Sequence, residues 1–365
     1  MQFAKDLAMS WCDAPALEGH PRLAIRQVDP TVEPGWDSLV LSHPDHTFFH
    51  SAAWARVLKE SYGFNPFYLL FSDDSGVVGI LPLMEARSCF RGTRGVSLPF
   101  TDECAPLWFG SADASVLAAA VLQLGRARGW KFWEVRGGGR NLFGSIPEST
   151  VHSGHVLRLN GGADALFAHF DASVRRAIRK SERSGVHVEI SREPDALRQF
   201  YRLHCLTRVR HGVPPQPFSF FQSIQRRVID SGHGFITLAS LASVPVAASV
   251  YFHLGRRAIY KFGASDLRSQ HLRANNLVMW TAIQHLAREG FATLDFGRTD
   301  PLNSGLRAFK RGWGASEIRL PYYRYDFRSN TYVAKAGPSP WTGALGWLPG
   351  PLARLAGALL YPHWE

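Results

Sequence analysis

The sequence predicts a mixed α/β fold made of two similar halves in tandem. Three observations support it: short segments in which apolar and polar residues alternate, longer segments with apolar residues three and four apart, and a weak internal repeat. The chain has 365 residues, of which 45% are hydrophobic. This is enough apolar surface to bury a core in each of two domains, and too much for a disordered chain.

The second half of the chain shows the order of elements most clearly. Residues 186–190 alternate as a half-buried strand does, and a helix follows from Pro194 to about Arg210, before Gly212. Further on, the pattern predicts a helix through Phe221, Ile224 and Val228, strands over 235–241, 246–254 and 258–263, a helix over 273–288, a strand over 292–296, a short helix over 305–311 and a strand over 318–327. The order β-α-α-β-β-β-α-β-α-β resembles the element order of the GNAT fold.

The first half repeats part of this order. Residues 67–80 form a strand-turn-strand pattern like that of 235–248, and 128–135 matches 289–296 in having a helix end, a glycine and a strand with one acidic residue. An internal duplication explains two matches in the same order. A strand and a helix are also predicted, over 23–28 and 51–62.

This repeat sets the expected domains. We expect a degenerate GNAT-like domain over residues 22–160, a second GNAT-like domain over 163–330, and an apolar tail over 331–365. Leucines near the end of the tail can form a short apolar helix face, which we expect to pack against the body of the protein. Lying in a membrane interface is the alternative.

The charge of the chain favours an anionic partner. Lysine and arginine number 41 against 30 acidic residues, which gives a formal net charge of +11. A nucleotide diphosphate, tRNA or an anionic membrane surface fits such a surplus, and a merely soluble basic surface is the alternative. DNA is not an expected partner.

The cysteines indicate a reducing compartment. Cys12, Cys89, Cys104 and Cys205 have no metal-site spacing, so we expect reduced thiols, no metal site and a cytoplasmic protein, with at most peripheral contact at the inner membrane face. No signal peptide is expected, since the first residues lack an apolar core, and no apolar run predicts a membrane-spanning helix.

One segment carries the most specific signal. It is Asp295-Phe-Gly-Arg-Thr-Asp-Pro-Leu-Asn-Ser-Gly-Leu-Arg-Ala-Phe-Lys-Arg-Gly-Trp-Gly314, a strand ending in D-F-G-R followed by G-L-x-x-F-K-x-x-W-G. Weaker matches occur in F-H-S-A-A-W from Phe49, G-I-L-P-L from Gly79, R-R-A-I-R-K from Arg175 and L-H-C-L-T-R-V-R-H-G from Leu203. Together they resemble the FemAB/FemX-like family of the GNAT superfamily, over roughly residues 45–327.

The resemblance implies transfer of an acyl group, often aminoacyl, to an amine on a cell-envelope precursor. It also implies a catalytic role for Lys310, the lysine of the F-K pair, beside Phe309 at the substrate. The chemistry gives a separate reason, because amine attack on an activated ester builds an oxyanion that a fixed cation stabilises. An ordinary solvated lysine is the alternative.

Arginines near the ends of two helices are candidates for binding an anionic group. Arg208 and Arg210 end the helix before a proline-rich turn, and guanidinium groups fit diphosphates and carboxylates. The resemblance favours Arg210, and a charge that merely stabilises the helix end is the alternative. Arg176 and Arg179 lie on a basic face between the halves, where residues 163–185 carry an apolar stripe of Leu166, Phe170, Val174 and Ile178.

Other polar residues of the second half have structural alternatives. Asp295 and Arg298 are further candidates for binding substrate. Asp295 can also orient a base, and a structural ion pair between the two is the simpler expectation. His204 is expected to be packed. Tyr260 and Trp54 are expected in the core or in the wall of a cleft.

The acyl donor stays open between aminoacyl-tRNA and acyl-CoA or an acyl carrier protein. CoA-binding GNAT proteins have a glycine-rich turn before a helix, but residues 268–276 contain no glycine, so a standard CoA site is doubtful. The donor is expected as a co-substrate, with no tightly bound cofactor, and the acceptor as an anionic small molecule or a lipid-linked one. A non-catalytic module that binds a nucleotide-linked sugar is the alternative from another class.

Overall fold

The computed structural model describes residues 23–88, 92–109, 114–138, 146–334 and 350–364. Its strands are β1 Ala24–Val28, β2 Asn65–Pro66, β3 Tyr68–Asp73, β4 Gly76–Leu81, β5 Met84–Ser88, β6 Gly92–Val96, β7 Leu107–Trp108, β8 Phe132–Arg136, β9 Thr150–Arg158, β10 His187–Ser191, β11 Gly234–Leu241, β12 Val244–Leu254, β13 Arg257–Ser265, β14 Thr293–Asp295, β15 Ser316–Asp326 and β16 Thr331–Tyr332. Its α-helices are α1 Trp36–Leu41, α2 Ala52–Tyr62, α3 Ala114–Ala127, α4 Gly162–His169, α5 Ala172–Arg183, α6 Pro194–Arg210, α7 Phe218–Ile224, α8 Ala274–Arg288, α9 Ser304–Arg311 and α10 Gly350–Trp364. The first 22 residues with Cys12, and also Cys89 and residues 335–349 of the tail, lie outside the described residues.

The predicted α/β class is confirmed, and the second half follows the predicted order from β10 to β15. One detail differs. The apolar stripe of residues 163–185 lies on two helices, α4 and α5, because Phe170 between them adopts an extended conformation with ψ of 150°. All four stripe residues are nevertheless buried, so the stripe predicted the buried face and missed the bend.

The main sheet runs through both halves of the chain. Its strand order is β10-β11-β12-β13-β14-β9-β15-β8-β6-β5-β2, with β16 beside β15, and a smaller sheet has the order β1-β3-β4-β7. Strand β9 of the first half lies between β14 and β15 of the second, while β15 pairs with β8 of the first half. The halves thus exchange strands. The domain boundaries near residues 160 and 330 stay predictions.

The two halves also share a hydrophobic core. Trp54 of α2 is fully buried, and its ring lies 5.8 Å from that of Phe252 in β12 and 6.1 Å from that of Phe220 in α7. Phe48 lies 4.8 Å from the same Phe252 ring. Aromatic contacts of this kind bind the first half to the second along the face of the sheet that bears α6 and α7.

The C-terminal helix packs against the body of the protein, as expected for the tail. Ala353 and Tyr361 are each 2% exposed, and the Tyr361 hydroxyl donates to the Pro214 carbonyl oxygen at 3.1 Å. In the described part of the chain, no helix is both long and apolar enough to cross a membrane. Cys104 is buried and Cys205 is half-buried, and neither forms a disulfide bond.

Gly357 allows the close approach of this helix, and a side chain there is expected to destabilise the protein. A Cβ atom at Gly357 would lie 2.0 Å from the carbonyl oxygen of Pro215, which is a backbone atom. We expect Gly357→Val to lower the free energy of unfolding by about 1–3 kcal/mol. Chemical denaturation measures this, with Ala358→Val as the control because Ala358 is exposed. Equal losses in the two variants would contradict the packing explanation.

Candidate active site

Two strands of the second half stop pairing near the middle of the sheet. β13 and β14 pair in parallel over only three residues, from Arg257 with Thr293 to Ile259 with Asp295. They are parallel because α8 connects them. After Asp295 the strand is interrupted at Gly297, whose φ is +70°, and Thr299 pairs again with Ser153 of β9. An opening at the carboxyl ends of parallel strands is a usual place for a ligand.

Lys310 of α9 lies beside this opening. It is 4% exposed, and its Nζ donates to the carbonyl oxygens of Gly297 at 2.8 Å and Arg298 at 3.2 Å. Burial lowers the pKa of Lys310 to about 8, although the nearby carboxylates of Asp102 and Asp295 oppose the shift. The amine is therefore still mainly protonated at neutral pH. One of its three N–H donors has no acceptor among the described residues.

Asp102 brings the first half of the chain into the same cluster. Its Oδ2 lies 3.1 Å from Nζ of Lys261, and its Oδ1 lies 3.7 Å from Nε of Arg298. Burial acts to raise the pKa of Asp102, but Lys261 and then Arg298 outweigh it, so the pKa is lowered. Arg298 also donates to the Tyr322 hydroxyl at 2.8 Å. The loop before α9 is thus held by charges from both halves.

A cavity of about 710 Å³, which we call cavity 1, lies between the halves next to this cluster. Its wall is formed by the loops around residues 43–50 and 103–108 of the first half and by strands β9, β13, β14 and β15. The lining residues are His43, Asp45, Thr47, Phe48, Phe49, His50, Glu103, Ala105, Pro106, Trp108, Gly138, Val156, Arg257, Ala258, Ile259, Thr293, Asp295, Ile318, Arg319 and Pro321.

Two carboxyl groups of cavity 1 have raised pKa values. Burial raises the pKa of Glu103 to about 7, and repulsion from Asp295 and Asp45 adds to the shift. Burial also raises the pKa of Asp295 to about 6, although Asp295 accepts a hydrogen bond from the Gly297 N–H at 2.7 Å. A carboxylate with a pKa near 7 is suited to take a proton from a reacting group at neutral pH.

A second cavity of about 390 Å³, cavity 2, lies beside α8, α9 and the end of α6. The lining residues are Thr207, Arg210, His211, Val246, Ala247, Ser249, Tyr260, Gly263, Ala264, Ser265, Asp266, Ser269, Gln270, Arg273, Ala274, Asn275, Asn276, Met279, Leu306 and Phe309. Arg210 is exposed here and forms no hydrogen bond or salt bridge with a described residue.

Helix α8 begins in the wall of cavity 2 without a glycine turn. Arg273 precedes it with a φ of +58°, the left-handed conformation that glycine usually supplies. In this described stretch no side chain caps the first N–H groups of the helix. The N-terminus of a 15-residue helix carries partial positive charge and attracts anions. A helix N-terminus that attracts anions is therefore present although residues 268–276 contain no glycine.

The structure brings most of the predicted site residues to this region. Phe309 and Arg210 line cavity 2, Asp295 lines cavity 1, and Lys310 lies beside the opening between β13 and β14. The expected ion pair between Asp295 and Arg298 is wrong. Gly297, with a φ of +70°, interrupts the strand between Asp295 and Thr299, and the Arg298 guanidinium pairs with Asp102.

Three predicted arginines lie elsewhere. The guanidinium of Arg208 donates to the Tyr361 hydroxyl at 2.6 Å and to the Pro214 carbonyl oxygen at 3.3 Å. It therefore holds the C-terminal helix, and substrate binding by Arg208 stays a prediction. Arg176 and Arg179 are exposed on α5 and line neither cavity, so anion binding by them stays a prediction.

The residues expected to be packed are packed. His204 is buried, its Nε2 lies 2.8 Å from Oε1 of Gln216, and burial lowers its pKa to about 3. Trp54 lies in the core and Tyr260 in the wall of cavity 2.

Sequence reasoning missed Asp102, Glu103, Lys261 and Tyr322. Asp102 and Glu103 stand in the first half without a motif around them, and Tyr322 lies in a strand whose partner is not apparent from the sequence. An unusual Asp-Glu pair next to an apolar segment was the one available signal. Among the described residues, no group of three or more His, Cys, Asp or Glu side chains is arranged to hold a metal ion.

Comparisons with known proteins identify the class. Residues 168–311 match the family model described as an acetyltransferase (GNAT) domain. The matched residues include Lys310 and every lining residue of cavity 2, so this segment has the sequence pattern of a GNAT domain. No curated protein sequence matches the chain.

Solved structures show where in that class the fold lies. The chain is similar to the crystal structure of FemX, with 15% identity and a TM-score of 0.64 over 81% of this chain and 96% of that one. It is also similar to a tandem GNAT protein from the clavulanic acid biosynthesis pathway, with 12% identity and a TM-score of 0.55 over 84% of this chain and 98% of that one. A third similar structure is the C-terminal domain of a putative lysylphosphatidylglycerol synthetase from Agrobacterium fabrum. It has 13% identity and a TM-score of 0.52 over 84% of this chain and 91% of that one. The chain has the tandem GNAT fold, and the resemblance to FemX is confirmed at the level of the fold.

Proposed function

We propose that the protein transfers an acyl or aminoacyl group to an amine and so forms an amide, on an acceptor related to the cell envelope or to a polysaccharide. The observation that carries this proposal is the position of Lys310, which is bonded to Gly297 just beyond β14, close to Asp295 of cavity 1 and next to Phe309 of cavity 2. The GNAT fold supports acyl transfer in general, and the FemX-like topology supports an amine acceptor.

The two cavities are lined by consecutive stretches of β13. Residues 257–259 line cavity 1, and Tyr260 with residues 263–265 lines cavity 2. Lys310 lies near both, since its charge acts on Asp295 of cavity 1 and it follows Phe309 of cavity 2 in α9. This suits a reaction in which donor and acceptor occupy two neighbouring cavities.

The residues at the opening fit the chemistry of amide formation. The amine nitrogen attacks the acyl carbon, a C–N bond forms, and the C–O bond of an ester or the C–S bond of a thioester breaks. The free N–H of Lys310 can donate to the developing oxyanion. The Glu103 carboxylate can accept the amine proton from the side of cavity 1. The leaving oxygen or sulfur then takes up a proton from solvent.

Cavity 2 favours a donor that carries phosphate. The N-terminus of α8 and the side chain of Arg210 both attract anions, and both border this cavity. The phosphates of a tRNA acceptor end and the diphosphate of CoA share this chemistry. A CoA-dependent N-acyltransferase is therefore the second candidate, favoured by the helix terminus, while a carrier-protein donor shares only the thioester.

Product analysis with separate donors tests the proposal. Purified protein is incubated with aminoacyl-tRNA, acetyl-CoA or an acylated carrier protein, each with muramyl-peptide and amino-sugar nucleotides as amine acceptors. Mass spectrometry is expected to find one acyl addition that survives hydroxylamine, as an amide does and an ester does not. An intact donor in every mixture, with nucleotide-sugar binding retained, would favour a non-catalytic binding module and contradict the proposal.

Arg210 and Arg208 give a matched pair of variants. We expect Arg210→Ala to raise KM for a phosphate-bearing donor by roughly tenfold, because a charge-assisted contact worth about 1.5 kcal/mol is lost. Arg208→Ala is expected to lower the melting temperature instead, since Arg208 holds α10 through Tyr361. Steady-state kinetics and thermal unfolding separate the two effects. An unchanged KM in Arg210→Ala would remove Arg210 from the donor site.

A further inference from the structure

Three strands place a row of polar side chains at one end of cavity 1. Arg257 of β13 and Thr293 of β14 both line this cavity and stand opposite each other in the sheet. On its other side, Thr293 stands opposite Arg158 of β9. The next pair, Leu157 with Leu294, is buried in the core on the other side of the sheet. Residues directly opposite each other in neighbouring strands share one side of a sheet, so Arg158 borders cavity 1 beside Thr293.

We call Arg158, Arg257 and Thr293 the basic end of cavity 1. Arg257 is half-buried, and among the described residues its guanidinium donates to the His46 carbonyl oxygen, at 3.1 Å, and forms no salt bridge. Arg158 is exposed and forms no hydrogen bond or salt bridge with a described residue. A guanidinium group has five N–H donors, so most donors of this pair can bind an anion.

The other end of cavity 1 is formed by Glu103 and Asp295, which we call the carboxyl end. The two lie close together, since repulsion from Asp295 helps burial to raise the pKa of Glu103. The charge of Arg257 also acts on Glu103, but these two described residues form no salt bridge. Asp295 follows Thr293 by two residues in β14, and a strand rises about 3.3 Å per residue, so the ends are about 7 Å apart. This spacing fits a small molecule between them.

We propose that cavity 1 binds an amine that also carries a phosphate or carboxylate group, with the anion at the basic end and the amine at the carboxyl end. Opposite charges at the two ends fix the orientation, because reversing the ligand would bring like charges together. The amine then lies beside Asp295, on which the charge of Lys310 acts. That this ligand is the acyl acceptor rests on the proposed function, whereas its binding does not.

The two ends also discriminate against simpler ligands. An amine without an anionic group leaves both guanidinium groups without a countercharge. An anion without an amine gains nothing from the carboxyl end and is repelled by its charge. Affinity is therefore expected to require both groups in one molecule.

Calorimetric titration of the full chain, with no acyl donor present, tests both ends. Glucosamine 6-phosphate carries both groups, glucosamine lacks the anion and glucose 6-phosphate lacks the amine. We expect glucosamine 6-phosphate to bind at least tenfold tighter than either of the other two. Free lysine, whose side-chain amine and carboxylate span a similar length, is the fourth probe. The tighter of lysine and glucosamine 6-phosphate identifies the anion as a carboxylate or a phosphate.

Substitutions at the basic end test the residues themselves. Arg158→Gln with Arg257→Gln is expected to lower the affinity for glucosamine 6-phosphate at least tenfold and to leave that for glucosamine unchanged. Arg328→Gln with Arg198→Gln is the matched control, because both arginines are exposed elsewhere and the same charge is removed. If loss of the bond from Arg257 unfolds the double variant, Arg158→Gln alone carries the test, with a loss of at least threefold.

Three outcomes would overturn the proposal. One is equal affinity for glucosamine and glucosamine 6-phosphate in the wild type, which would mean that the basic end binds no anion. Another is an equal loss in the control and in the variants of the basic end, which would assign the effect to net charge. The third is the absence of binding by both glucosamine 6-phosphate and lysine. Binding without any acyl transfer would instead support this site and contradict only the proposed function.

Discussion

Replacing Lys310 by methionine is expected to lower the rate of acyl transfer by roughly 10²–10³-fold while changing KM little. The oxyanion forms only in the transition state. Removing the hydrogen-bond donor that stabilises it therefore lowers kcat and leaves substrate binding unchanged. Methionine keeps the length and the apolar stem of the side chain and removes the charge. Steady-state kinetics with the donor found by product analysis measures the effect.

The same substitution is expected to destabilise the fold, and this must be separated from catalysis. Without the Lys310 ammonium, the partly buried Asp102 and Asp295 carboxylates lose a countercharge, and two carbonyl oxygens lose a donor. Breaking a fully buried charge pair costs about 3–5 kcal/mol, and solvent reduces the cost here because the carboxylates are partly exposed. Rates are therefore compared well below the melting temperature of the variant, where it is folded.

Arg311→Met is the control for the Lys310 variant. Arg311 is the next residue of α9, but its side chain is exposed. Replacing it changes the net charge by the same amount as replacing Lys310, and it leaves the buried ammonium group in place. We expect near wild-type transfer and stability from it. A folded Lys310→Met protein with full activity would remove Lys310 from catalysis and leave it as a structural countercharge.

The order of elements in the second half was predictable because each element is encoded locally. Amphipathic periods and glycine stops give helices such as α6 and α8 within a residue or two of their ends. The F-K-x-x-W-G motif likewise located Lys310. The exchange of β9 and β15 was not predictable, because alternation shows that a segment is a strand and contains no information on which strand lies beside it.

The sequence also does not show which side chains face the candidate site. Arg208 and Arg210 are two residues apart on one helix, and this rotates their side chains by about 200° relative to each other. One faces Tyr361 and the other cavity 2, although their sequence context is nearly the same. Asp102 and Glu103 reach the site across the contact between the halves, which only the folded chain creates.

Replacing Glu103 by glutamine is expected to remove the acid limb of the pH–rate profile. If the Glu103 carboxylate accepts the amine proton, transfer rises with pH through about 7, where this group ionises. Glutamine cannot accept the proton, so the rate is expected to fall about 10²–10⁴-fold at pH 8 and to lose this dependence. Kinetics from pH 5.5 to 9 measures both effects. Glu289→Gln, at an exposed position, is the control.

Stability gives a second readout that does not depend on the assay. The unfolded chain loses the Glu103 proton near pH 4.5, whereas the folded chain keeps it to about pH 7. The folded state therefore binds more protons between these values, and the free energy of unfolding falls as pH rises through this window. In Glu103→Gln that fall should be smaller, by on the order of 2 kcal/mol between pH 5 and pH 7.5. Urea denaturation at the two pH values measures it. Identical pH dependence in the variant and the wild type would mean that Glu103 ionises normally, and would exclude it as the base at neutral pH.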